Sequence, residues 1–119
     1  MNLTNCIEEI RSDRVRNLFA KLYGTQNHVI EKQQQRYERA VQAFHEFFPT
    51  RTDIKIYSAP GRTEIGGNHT DHQHGCVLAA AINLETVADV TFNGTDKIFV
   101  QSEGYPSFYV DLTDLTVHE

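Results

Sequence analysis

RYERAVQAFHEFFPTRTDIKIYSAPG, residues Arg36–Gly61, holds the change of period on which the fold turns. Before Pro49, the residues Tyr37, Val41, Phe44 and Phe48 are spaced four, three and four apart, which puts four large apolar side chains on one stripe of a helix. Pro49 stops that helix, because it lacks an N–H and its ring clashes with the preceding turn. After it, Ile54 and Ile56 alternate with Asp53, Lys55 and Tyr57, the period of a strand. The spacing predicts a helix over about 30–48 and a strand that ends at Ala59-Pro60-Gly61. Gln33, Gln34, Arg36 and Arg39 are expected to cover the other side of the helix.

Working outward toward the N-terminus, Leu3, Ile7 and Ile10, then Leu18, Phe19 and Leu22, recur at helical spacing. Ser12 and Asp13 offer a helix start and Gly24 a stop, so residues 4–23 read as one broken helix or two short ones, followed by a polar connection from Thr25 to Val29. Toward the C-terminus, CVLAAAINL (76–84) reads as a buried strand, and Ala88, Val90 and Phe92 alternate with polar neighbours. Asn93-Gly94 is a strong hairpin-turn signal. Strands then follow at Ile98–Gln101 and at Phe108, Val110 and Leu112, separated by Gly104-Tyr105-Pro106.

Helices followed by a mostly antiparallel sheet make an α+β domain, with residues 1–49 helical and the sheet within 53–112. Only the N-terminal helices are available to cover the sheet. An apolar face or a strand edge is therefore expected to stay open, and a homodimer through that surface is anticipated.

The whole chain, 119 residues, has the size of a single domain and can bury a core without disulfides or metals. Its 16 acidic against 11 basic side chains leave a net charge of −5, a poor basis for holding nucleic-acid phosphates. No apolar run approaches the roughly 20 residues of a membrane span. Residues 1–11 include two glutamates and no apolar core, so no secretory signal is expected. Cys6 and Cys76 form no CxxC pair and read as reduced thiols of a cytoplasmic protein, with one bridge left open.

Chemistry concentrates in SAPGRTEIGGNHTDHQHG, the signature loop over 58–75, which holds four of the seven glycines and three of the six histidines. Pro60-Gly61 is expected to form a rigid turn. Gly66-Gly67 allows positive φ or close approach of backbone to a ligand. Arg62, Glu64, Asn68, His69, Asp71, His72 and His74 bring donors and acceptors together, as recognition of sugar hydroxyls requires. Three other readings stand beside a sugar site. His69, Asp71, His72 and His74 have metal-ligand chemistry, but without a second defined pair of ligands. A phosphate loop lacks its GxxxxGK[ST] run. A solvated turn, capped by Asn and Asp, needs no ligand at all. Cys76, within an apolar run, is expected to be buried and inert.

The order Ala59-Pro60-Gly61-Arg62, then Gly67-x-His69-Thr70-Asp71, then Gly75-x-Val77-Leu78, resembles the signature of the galactokinases, members of the GHMP small-molecule kinases. The resemblance covers about Ile54 to Val90. It implies a site for galactose or a close relative, in which Arg62 is the catalytic side chain, beside the anomeric hydroxyl and the γ-phosphate. Arginine suits that place, since it keeps its charge and stabilises charge developing on the transferred group. The resemblance also implies that Arg62, Glu64, Asn68, His69 and Asp71 bind substrate, and that ATP and Mg2+ serve the full-length enzyme while none is expected on this chain.

Four positions depart from the family pattern. Glu64 stands where Asn is common, Gly66 where a branched apolar residue is common, Asn68 for the acid before the histidine, and His72 for the tyrosine. The loss of that acid raises the expectation of another galacto-configured or an acidic sugar. The Gly- and Ser-rich phosphate loop of such kinases is not found: the four serines, Ser12, Ser58, Ser102 and Ser107, are scattered. The chain is therefore expected to be the sugar-recognition portion of a galactokinase-like enzyme, inactive alone. A stand-alone sugar-binding or sensing module and a metal-binding domain are the alternatives.

Overall fold

Ser12 divides the N-terminal helical run. Helix α1 spans Leu3–Arg11 and α2 spans Asp13–Tyr23. The Ser12 hydroxyl accepts from the Val15 N–H at 3.3 Å, which satisfies one of the orphan donors of α2. Gly24, at φ +102°, ends α2. These features come from a computed structural model that describes residues 3–67 and 74–116.

Helix α3 spans Asn27–Phe47, so it begins ahead of Ile30, and the polar connection shrinks to residues 24–26. Its stripe packs as the spacing predicts: Tyr37, Val41 and Phe44 are buried, with Val41 fully enclosed. The opposite side is not simply solvated. Gln34 is buried and its amide donates to the Ile10 carbonyl at 3.0 Å. Glu38 is buried and takes both arms of Arg11 at 2.7 Å each, which holds its carboxyl below the ordinary range. Helix α1 lies against this flank of α3, and a buried carbonyl needs a donor there. Gln34 and Glu38 thus tie α1 to α3.

Cys6, Ile10, Phe19, Ile30, Tyr37 and Val41 form the core, with Ile54, Ile56 and Val87 packed on it from the strands. Strand β1 spans Lys55–Gly66 and pairs antiparallel with β2, Leu78–Val90. Strand β3, Lys97–Val100, pairs antiparallel with β4, Phe108–Asp111. Among the described residues the sheet is therefore two separate two-stranded ladders, which keeps the α+β arrangement.

Three expectations change here. Pro60-Gly61 does not turn the chain; β1 runs through it to Gly66. Strand β1 is an edge strand of its two-stranded ladder, the place in a sheet where proline is tolerated. The segments at 76–84 and 88–92 are not two strands but parts of one continuous β2. Asn93-Gly94 does turn, with Gly94 at φ +71° and the Asn93 side chain accepting from the Thr95 N–H at 2.9 Å. Yet the strands on either side of it do not pair with one another.

The apolar run in β2 is also not buried. Leu78 is 62% exposed and Leu84 73%, because the helices cover only the Ile54–Val87 end of the ladder. The radius of gyration is 18.1 Å, against about 13.5 Å for a closely packed domain of this length. Ile65, Phe92, Phe99 and Tyr109 add to this open apolar surface.

Asp89 sits on the core-facing side of β2 at the base of the ladder. Its Oδ1 is buried with no hydrogen-bond partner among the described residues, and burial pushes its pKa from 3.8 up to about 6. Folding therefore favours the protonated form. Its contribution to stability is complete below about pH 4 and is lost as pH rises through 6. An Asp89→Asn variant is expected to be more stable than the parent at pH 8 by about 1–2 kcal/mol, allowing for partial exposure, with little difference at pH 4. Urea melts at the two pH values check this. A gain of equal size at both would refute the assignment.

Candidate functional site

The strand β1 carries the candidate residues into the loop. Arg62 is exposed and Glu64 is half-buried, and they pair with Ala81 and Ala79 of β2. The ladder is irregular on both sides of them. Between Pro60↔Glu85 and Arg62↔Ala81, β1 contributes Gly61 alone, while β2 contributes Ile82, Asn83 and Leu84. Between Glu64↔Ala79 and Gly66↔Leu78, Ile65 is the extra residue on β1. Bulges of this kind re-aim side chains at a strand end.

The glycines have separate tasks. A Cβ on Gly61 would lie 3.1 Å from the Leu84 carbonyl oxygen and 3.3 Å from the Ile82 side chain, so the first bulge folds directly over it. Gly67 has φ +109°, and a Cβ there would lie 2.5 Å from the Cys76 carbonyl oxygen. Gly66 has open space around it. The close approach expected at Gly66-Gly67 thus belongs to Gly67 and is made to the chain itself. On the far side of the loop, His74 has φ +61°, an uncommon conformation for a side-chain-bearing residue.

Asn68, His69, Asp71 and His72 lie outside the described residues. Arg62 and Glu64 therefore stand on the strand that leads into the loop, and His74 on the segment that leaves it. Among the described residues no group of three or more His, Cys, Asp or Glu is placed to bind a metal. Cys76 is exposed, not buried, since no helix covers that end of β2; Cys6 is the buried thiol, and neither is in a disulfide. Burial pushes the Cys6 thiol above its ordinary range. Among the described residues no helix is long and apolar enough to cross a membrane.

A polar cluster that the sequence reading missed lies where the helices meet the ladder. The Glu85 side chain is 5% exposed. Its carboxylate accepts from the Tyr23 and Ser58 hydroxyls and from Arg36 Nη1 at 2.8 Å. Arg36 Nη2 also donates to the Glu85 main-chain carbonyl at 2.7 Å. Tyr23 gives its one proton to the carboxylate, so Tyr37 donates to Tyr23 across their 2.8 Å contact. Burial alone would raise the Glu85 carboxyl, but the donors from Ser58, Tyr23 and Arg36 outweigh it and hold it low. Burial and the bond to Glu85 push the Tyr23 phenol up. The available signal was that Glu85 is the one charged residue in the run 76–88, and a lone charge in an apolar strand requires a partner.

Known proteins resemble the chain over this same region. The family model for the galactokinase galactose-binding signature matches residues 42–92. A galactokinase of Candida maltosa is 31% identical over 87 residues, covering 72% of this chain and 40% of that protein. One of Dictyostelium discoideum is 33% identical over 63 residues, covering 53% of this chain and 13% of that protein. One of Lactococcus lactis subsp. lactis (strain IL1403) is 31% identical over 72 residues, covering 60% and 18%. The matched stretches are thus well under half the length of these relatives. No solved structure matches. Helix α3 from residue 42, all of β1 and β2, and the loop between them carry the galactokinase galactose-binding signature, and through it this chain resembles the N-terminal region of the galactokinases.

Proposed function

We propose that this chain is the sugar-recognition portion of a galactokinase-like enzyme that phosphorylates the anomeric hydroxyl of galactose, or of a close relative, with ATP. The observation that carries the reading is the signature match over 42–92, a stretch that contains Arg62, Glu64, Asn68, His69 and Asp71. In this reading His69 and Asp71 hydrogen-bond sugar hydroxyls, and an ionised Asp accepts from two adjacent hydroxyls and so reads their stereochemistry. Asn68 contributes an amide where the family has an acid, and Glu64 supplies a carboxylate nearby. Arg62 stands ready to stabilise charge on the transferred group.

The described residues do not fit ATP and Mg2+. They offer no glycine-rich strand-to-helix junction to cradle phosphates and no carboxylate cluster for the metal. In this reading ATP and Mg2+ serve the full-length enzyme, and the chain recognises sugar without turning it over. A cytoplasmic setting, to which two thiols outside any disulfide are suited, and a homodimer joined through the open apolar face belong to the same proposal.

Titration calorimetry with galactose, and with galacturonate in parallel, tests the reading. Saturable galactose binding is expected, weakened about 10- to 100-fold by Asp71→Ala, because a charge-assisted hydrogen bond is lost. An Asp71→Ala affinity equal to the parent's would overturn the assignment. Binding of galactose with no response to galacturonate would remove the acidic-sugar version.

A further inference from the structure

Two features meet at residue 85. Arg36, on α3, grips Glu85 by its carboxylate and its main-chain carbonyl together. Immediately beyond it, β2 leaves register with β1 through the bulge Ile82–Leu84, which folds over Gly61. We propose that the Arg36–Glu85 clamp is a positioning device for the signature strand: it fixes the bulge to the helical layer and thereby sets the register in which Arg62 and Glu64 are presented. The assignment of those two residues to a ligand rests on the sugar-site reading above.

The physical need for such a device lies in β2 itself. Arg62, Thr63 and Glu64 pair with Ala81, Ala80 and Ala79 in turn. Three identical small side chains give a strand little means of choosing its own register. This half of the ladder also projects beyond the helices, with Leu78 and Ile65 exposed, so no core contact chooses for it. A two-stranded ladder without a core is marginal in water. Register must therefore be imposed from the anchored end, and Glu85 is the last residue of β2 in regular pairing before the bulge.

Arginine is suited to this task. Its planar fork reaches a side-chain oxygen and a main-chain oxygen at once, which a single ammonium does not reproduce. Tyr23 and Ser58 add two further donors to the carboxylate. Arg36 and Glu85 are thus positioning residues, acting through the strand.

Residue-resolved amide hydrogen exchange on the whole chain tests the clamp, with Arg36→Lys as the variant. Arg11→Lys, which loosens the comparable paired grip on Glu38 away from the bulge, is the control. Arg36→Lys is expected to speed exchange at Arg62–Glu64 and Ala79–Ala81 by about tenfold, while Lys55–Ser58 and Val87–Val90 change less than about twofold. Arg11→Lys should leave the ratio between the two halves unchanged. If Arg36→Lys does not fold, Tyr23→Phe removes one donor to Glu85 with its packing kept, and the same pattern is expected at smaller size. Equal acceleration in both halves, or none in either, would overturn the proposal.

Galactose titration of the same proteins separates this inference from the site reading. Weaker binding in Arg36→Lys, with Arg11→Lys like the parent, supports both. No binding by the parent counts against the sugar site, and the exchange pattern then decides the clamp by itself.

Discussion

A Gly67→Ala variant is expected to lose about 2–4 kcal/mol of stability, while Gly66→Ala, one residue earlier, melts close to the parent. At Gly67 the backbone has φ +109°, a region that costs a side-chain-bearing residue about 1–3 kcal/mol. The new Cβ would also meet the Cys76 carbonyl oxygen at 2.5 Å and the Val77 Cα at 2.6 Å. Both are main-chain atoms, so relief requires the two sides of the loop to part, and overpacking of that kind adds about 1–3 kcal/mol. At Gly66 nothing lies within 4 Å. Thermal melts of the two variants measure the difference. Equal melting of the two would refute the close approach of β1 to the Cys76–Val77 segment.

Phe19→Ala is expected to cost about 3–5 kcal/mol and to lower the melting midpoint by about 10–20 °C. Phe19 is 3% exposed and touches Tyr37, with ring centroids 4.8 Å apart, and Tyr23 at 5.5 Å. From α2 it therefore packs against Tyr37 of α3 and against Tyr23, whose hydroxyl bonds Glu85. Because the extended shape leaves only a small enclosed core, one large side chain is a substantial share of the total. Leu84→Ala removes a comparable aliphatic volume from a residue 73% exposed and should change stability by less than about 0.5 kcal/mol. Chemical denaturation of both variants checks the contrast. A loss under about 1 kcal/mol for Phe19→Ala would mean that the helical layer is not the stabilising core.

Much of the helical half was legible. The Tyr37–Val41–Phe44 stripe, the break at Ser12 and the stop at Gly24 are local events, governed by 3.6-residue spacing and by capping, and the structure has them where the residues put them. Strands β3 and β4 form close to where they were expected and pair with one another, but neither buries an alternating face. Gln34 and Glu38 were not legible, since their burial comes from α1 lying over them. Nor was the single β2: its apolar run looked buried because small apolar residues usually are, and only the reach of the helices decides that they are not.

The candidate site divides in the same way. The order of residues from Ala59 to Gly75, with Arg62, Glu64, Asn68, His69 and Asp71 in place, is a property of the sequence, and it was enough to point to a sugar and to the galactokinases. That Pro60-Gly61 continues a strand, that Gly67 rather than Gly66 carries the close contact, and that Arg36 grips Glu85 are tertiary facts. Local spacing determines which chemistry is present, because side-chain identity and backbone preference act within a few residues. The partners of β1 and the burial of β2 were decided only by long-range contacts, the pairing of β1 with β2 and the reach of Arg36 to Glu85, 49 residues away in sequence, since register and burial depend on contacts that no local pattern contains.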